Sequence, residues 1–443
     1  MKTKFTTVIG SLLLAGCLFS ETANAQVFGP VSNLRPYDKR GINVFEDPKE
    51  DTIAFDGLRL MFGAGFTQSF QGLKHSNTPN NASNNLYKMT PGFNTANANL
   101  FMDVQLADGI RLNLTSYLSS RHHNETWVKG GYIQFDKLPF KGQIWDDIMS
   151  VTTIRVGHME INYGDQHFRR SDGGNTIYNP FAENYIMDAF TTEIGGEVLV
   201  RKNGFLGLVG ATNGMIKGNI DELTPTPQDD NTRKSPAVYF KAGVDKDVMD
   251  NVRVRLTGSY YMNNSSGGQT LYAGDRTGSN YFMALERVGS TASAQFSSGR
   301  FNPGFSKKVD ALQFNGFVKA SGLEFFGTYE RANGRTKSET SERKASQYAA
   351  DLIYRFGPSE NVFVGARYNK VKARPANVTG AAPITYTEDI SIDRKALGAG
   401  WFLTRNILLK GEYVIQEYNK FPTADLRHNG EFKGYVIQAV VGF

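Results

Sequence analysis

From about residue 58 to the C-terminus the chain repeats one unit, a stretch of about ten residues in which apolar and polar side chains alternate, followed by a turn. In the first stretch Leu58, Leu60, Phe62, Ala64 and Phe66 share a face. In the second, Ala98, Leu100, Met102, Val104 and Leu106 alternate with Asn97, Asn99, Phe101, Asp103 and Gln105. Asp108 and Gly109 then form a hairpin signal, because both residue types accept positive φ. The chain returns with Ile110, Leu112 and Leu114 against Arg111, Asn113 and Thr115. A period of two puts hydrocarbon on one face of each strand and polar groups on the other. The same alternation runs through Val252, Val254 and Leu256, through Leu352, Tyr354 and Phe356, and through Val362, Val364, Ala366 and Tyr368. The last stretch places Tyr435, Ile437, Ala439, Val441 and Phe443 together.

The connections alternate in length. Short ones fall near 107–109, 202–204, 245–251, 321–322, 357–360 and 404–406, with a medium one at 137–151. Long polar ones fall near 71–92, 163–190, 217–236, 263–307, 373–390 and 419–430, and shorter ones near 119–125 and 333–344. Short turns at one end and longer loops at the other are the pattern of a transmembrane barrel, not of a soluble sandwich or propeller. Simple counting yields seventeen stretches, including 281–288, but an odd number cannot return the chain to its starting side. Folding 263–307 into one external loop leaves sixteen strands; eighteen is the alternative, with a further strand at 291–300. Hydrocarbon offers no hydrogen-bond partners, so every strand must pair on both sides. At about sixteen strands the interior is too wide for side chains to fill, which leaves an aqueous channel. The expectation is an all-β, transmembrane antiparallel barrel over 58–443. Lys129 and Lys395 fall on the lipid face near the external ends of their strands, where a charge costs about 0–1 kcal/mol against about 2–4 at the midplane.

Composition is compatible with this without requiring it: 21% of residues are charged and 40% hydrophobic, as in many water-soluble chains. The first 25 residues form a separate unit. Lys2 and Lys4 precede an apolar run at 8–19, and Ala23, Asn24 and Ala25 supply a small-residue cleavage site, as in a secretory signal peptide. The competing reading is a lipobox at 14–17, with Cys17 lipidated; both readings export the protein. Cys17 is the only cysteine, so cleavage after Ala25 leaves no disulfide, no thiolate metal ligand and no Cys nucleophile. Loss of two lysines and one glutamate with the signal lowers the formal charge from +6 to +5, too mild to point to nucleic acid. No later stretch approaches about 18 consecutive apolar residues, so a membrane reading rests on strands alone. Residues 26–57 are polar and precede the first strand; they lie in the periplasm or plug the pore.

The export signal, the strand–turn series and the closing strand 434–443 (GYVIQAVVGF) resemble the porins of Gram-negative outer membranes, nearest in style to the phosphate-selective type. In those barrels a C-terminal strand ending in an aromatic, here Phe443, is the signal read by the barrel-assembly machinery. The stretch 154–164 (IRVGHMEINYG) resembles the strand that leads into their third loop. A dense arginine ladder of the phosphate-selective kind is not present. The resemblance implies passive diffusion of small hydrophilic solutes, a homotrimer, contact with outer-membrane lipid and lipopolysaccharide, no cofactor and no nucleic acid. By position, 163–190 is the loop that would narrow the lumen, and it combines Asp165, His167, Arg169, Arg170 and Asp172, a mix of signs suited to a transverse field. The bland alternative is a solvated surface loop. The polar faces carry Arg111, Arg155, Arg253, Arg255, Lys319, Arg355, Arg367 and Arg394. They also carry Asp103, Glu324, Glu330, Asp351 and Glu412; the modest excess of arginine points to weak anion preference. Alternation demands polar residues there whatever the solute. The histidines His75, His122, His123, His158, His167 and His428 show no metal-ligand spacing, and no nucleophile–His–acid set stands out. Two other classes stay open: an enzyme built on a barrel, and an adhesive barrel plugged by 26–57 or 263–307.

Overall fold

The computed structural model describes residues 27–50, 53–122, 125–218, 220, 222–380 and 382–443. The export signal at 1–25, with Cys17 and Ala25, and also His123, lie outside the described residues. Sixteen long strands follow one another along the chain. They are β1 (Arg59–Ser76), β2 (Asn97–Ala107), β3 (Ile110–Leu118), β4 (Trp127–Phe135), β5 (Thr152–Glu160) and β6 (Thr192–Lys202). Next come β7 (Phe205–Thr212), β8 (Ala237–Met249), β9 (Val252–Asn263), β10 (Lys308–Ala320) and β11 (Leu323–Arg335). The last five are β12 (Arg343–Phe356), β13 (Val362–Ala373), β14 (Ile390–Thr404), β15 (Ile407–Asn419) and β16 (Glu431–Gly442). Each pairs antiparallel with its neighbours in sequence, and β16 closes on β1 from Glu431 opposite Ser76 to Gly442 opposite Gly65. Two further two-residue strands, Val27–Phe28 and Gly92–Phe93, merely edge onto β1. Residues 264–307 form one connection, and 291–300 carries no strand, so the ring is sixteen-membered.

Alternation builds the wall as the pattern predicts. On β12, Leu352 is 51% exposed while the adjacent Asp351 is fully buried. Outside, the wall is a belt of Leu, Val, Phe and Tyr; inside it is polar and charged, the arrangement that lets a sheet cross hydrocarbon. Lys395 points outward as expected, with Glu417 at 3.7 Å. Lys129 does not. Thr115 pairs with Gly130 and Ser116 with Val128, so Lys129 is the extra residue of a β-bulge. The bulge turns its side chain inward, where the ammonium meets Asp172. A strict period of two cannot foresee an inserted residue.

Turns at one end are short, 108–109, 203–204, 250–251 and 321–322 among them. The longest at that end holds the helix α1 (Gln143–Val151). No helix among the described residues is long and apolar enough to cross a membrane. At the other end run the long connections. Three segments fold into the barrel. Residues 31–47 enter from the short-turn end, where the Lys39 ammonium donates to the Ser359 carbonyl and the Asn361 side-chain oxygen. Connection 161–191 is almost wholly buried, and 264–307 packs above it with Leu271, Tyr281, Phe301 and Phe305 in the largest apolar cluster. That cluster reaches inward-facing wall residues such as Tyr239, Val371, Ile392 and Phe432, so the inner face is not polar throughout.

Candidate pore constriction

Connection 161–191 dives inward at Gly164, whose φ of +71° favours glycine and whose missing Cβ would stand 1.7 Å from the Gln313 amide oxygen. A short 3-10 turn at Gln166–Arg169 then distributes the charged side chains in different directions. Asp165 accepts from Arg255 at 2.8 Å, from Thr257 at 2.7 Å and from the Lys241 ammonium at 2.5 Å. Glu46, from the N-terminal segment, accepts from the same guanidinium at 2.7 Å. Burial alone would raise both carboxyls, but Arg255 and Lys241 outweigh it. Glu46 is pulled down to about 2, and Asp165 lies well below the usual carboxylate range.

Arg169 turns toward β11, bonding Asn43 and lying 3.5 Å from Glu324 between the rings of Phe317 and Phe326. Arg170 points the other way. It reaches Asp188 at 2.6 Å, Asp275 of connection 264–307 at 2.7 Å and Asp172 at 3.1 Å, stacked on Phe190. Asp172 also holds Lys129, and His167 bonds Glu160 and, at 3.1 Å, Asn162. All five loop residues read from the sequence therefore lie inside the barrel, divided among separate networks rather than gathered in one cluster.

The wall residues complete those networks. Arg111 pairs with Asp103 and Asp47, both at 2.8 Å, and Arg155 with Asp47 at 2.6 Å. Arg355 pairs with Glu324 at 2.6 Å, Arg367 with Asp351 at 2.7 Å, Arg253 with Asp245 at 2.7 Å and Lys319 with Glu360 at 2.8 Å. Arg394 instead donates to Gln416 and to the carbonyls of Asn184 and Gly299. Glu412 accepts from the Ala182 amide at 2.9 Å, and Glu330 from Tyr272 at 2.8 Å.

Several participants escaped sequence reading. Lys241 sits on the inner face of β8 in step with Tyr239, so alternation alone could have found it. Arg35, Glu46 and Asp47 lie in a segment without periodicity, and nothing local says which way they point. Asp275 and Arg300 meet Arg170 and Glu183 only because two connections fold into one space.

Space remains beside connection 161–191. A cavity of about 200 Å³ lies between the N-terminal segment, connection 161–191 and strands β2 to β6, with Arg35, Tyr132, Arg155, Glu160 and Tyr178 among its lining. No group of His, Cys, Asp and Glu among the described residues is arranged to hold a metal ion.

A closed ring of sixteen strands, an apolar exterior and charged connections folded into the lumen define a transmembrane β-barrel of the outer-membrane kind. No protein-family model matches the chain, and no curated protein matches it. Solved structures do. An anion-selective porin from Comamonas acidovorans is similar at 9% identity and a TM-score of 0.51, over 87% of this chain and 99% of that one. In-vitro folded OmpT, an outer membrane protein of Vibrio cholerae, is similar at 11% identity and a TM-score of 0.50, over 89% of this chain and all of that one. The likeness is one of fold. With its lipid-facing belt, that fold is the one outer-membrane barrels use to cross a bilayer.

Proposed function

We propose that the chain is an outer-membrane porin through which small hydrophilic solutes diffuse passively, with a weak preference for anions and no catalysed reaction. The observation that carries this reading is a long connection folded into the lumen of a closed barrel, leaving a charged cavity of about 200 Å³ beside the wall. Connection 161–191 is the constriction in this proposal, with Asp165, His167, Arg169, Arg170 and Asp172 setting its field. The proposal includes cleavage of the signal after Ala25, assembly of the barrel through the signal ending at Phe443, a homotrimer, and lipopolysaccharide against the outer belt. Planar-bilayer recordings of the purified protein test it: discrete conductance steps are expected, and a reversal potential in a salt gradient displaced toward anion permeability. Clear cation preference would remove the selectivity part, and silence would remove the channel.

One observation favours a second reading, a plugged barrel that binds a partner through its external connections. Residues 31–47 enter the lumen from the short-turn mouth and bond the wall, with Asn43 donating to Glu324 at 2.6 Å and Tyr37 to Asp103 at 2.8 Å. Deleting 31–47 discriminates: a large rise in conductance supports a plug, and an unchanged conductance leaves the diffusion path elsewhere.

A further inference from the structure

The cations and carboxylates that line the cavity are not alike. Lys129 and Arg170 are both paired with Asp172, and Arg155 with Asp47. Arg35 stands apart. Its Nε donates to the Gly41 carbonyl and its Nη2 to the Phe168 carbonyl, each at 2.9 Å. Among the described residues no carboxylate comes within ion-pair distance of its guanidinium, which lies 3.8 Å from the centre of the Tyr178 ring. The carbonyls fix the group's position without neutralising it.

Glu160 is the acidic counterpart. Among the described residues its ion-pair partner is His167, and neither an Arg nor a Lys reaches it. Its side chain is 37% exposed, whereas most charged side chains of the lumen are nearly inaccessible. So a cation whose nearest carboxylates, Asp47 and Glu160, act on it only from beyond ion-pair distance, and a carboxylate whose close partner is a histidine, with Arg170 and Lys129 farther off, line the same cavity. Charges without a close, permanently charged partner in a confined site attract their complements.

We propose that this cavity binds a small zwitterion of the α-amino-acid class, its carboxylate on Arg35 and its ammonium on Glu160. The planar guanidinium matches a carboxylate, and the rings of Phe168 and Tyr178 bound the space between for the carbon skeleton. A solute with only a negative charge forgoes the contact with Glu160, and one with only a positive charge forgoes the contact with Arg35. A free volume of about 200 Å³ is enough for a solute of amino-acid size. The inference rests on the channel reading and specifies what that channel selects.

Proteoliposomes holding the full barrel test it with four solutes of one size: alanine, alaninamide, lactate and lactamide. Potassium chloride conductance is recorded on the same preparation. Alanine flux is expected to saturate and to exceed the other three by about tenfold below saturation, the effect of one added charge-assisted contact. In Arg35→Gln alaninamide should pass as readily as alanine, in Glu160→Gln lactate should do so, and Arg35→Lys should restore the wild-type order. A merely structural role would not exchange the two preferences. Should Arg35→Gln fail to give a heat-modifiable folded band, Glu160→Gln carries the test alone. Equal fluxes for all four solutes beside normal chloride conductance would overturn the zwitterion site and leave the channel standing. Absence of both conductance and flux would overturn the channel reading itself.

Discussion

The two halves of the lumen are built from the same residue types and use them differently. Toward β12 to β15, cations clamp backbone. The Lys410 ammonium donates to the carbonyls of Thr176, Asn179 and Phe181 at 2.8, 2.8 and 2.9 Å, and Arg367 and Arg394 reach the carbonyls of Glu183 and Asn184. Connection 161–191 is pinned there against the wall. Toward β2 to β6 the cavity opens, and Arg35 and Glu160 are left without strong partners of opposite sign. An inward charge is therefore a poor sign of a solute contact unless its partners are known. A buried ion pair cancels the charge locally, a carbonyl clamp only fixes where it stands, and the field that a solute meets comes from the charges that reach open space without a close opposite partner.

This contrast can be broken deliberately, and the largest effect is expected at the best-paired site. Arg255→Ala leaves Glu46 and Asp165 buried with only Lys241 between them, and should cost about 3–5 kcal/mol in urea unfolding of the detergent-solubilised barrel. The same network predicts acid sensitivity. The folded pKa of Glu46 lies below its ordinary 4.5, so its stabilisation is present above that value and is lost as pH falls toward about 2. A melting temperature that is flat across that interval would contradict the network. Lys410→Met removes three hydrogen bonds to connection 161–191 and should cost about 1–3 kcal/mol, with noisier single-channel currents as the loop loosens. The smallest effect belongs to the lipid face. Lys395→Leu should change stability by no more than about 1 kcal/mol, since the side chain is largely exposed and its contact with Glu417 at 3.7 Å is an exposed ion pair. Lys129→Leu, at the bulge, should cost clearly more, because it strips Asp172 of a buried partner.

Much of the wall was legible in the sequence. Leu352, Tyr354 and Phe356 against Asp351 and Arg355 announce their faces without help, since each side chain's direction follows from the pleat alone. Parity assigned 263–307 to a single connection for the same reason: an up-and-down ring has to return to its starting side. Lys129 was misplaced because a bulge breaks the count. The inward apolar cluster around Tyr239 and Phe432 was not foreseen, as a strand apolar on both faces carries no directional signal.

By itself the chain's periodicity, with the parity of an up-and-down ring, led to sixteen strands with eighteen as the alternative, and showed which side chains of most strands face hydrocarbon and which connections are long, because alternation is a local property that repeats every two residues. Only the tertiary structure decided that 31–47 and 161–191 enter the lumen, which arginines bind carbonyls and which charges stay open. Those outcomes depend on segments far apart in sequence meeting in one enclosed space. A buried charge chooses its partner by what lies within a few ångströms, a distance that no local pattern encodes.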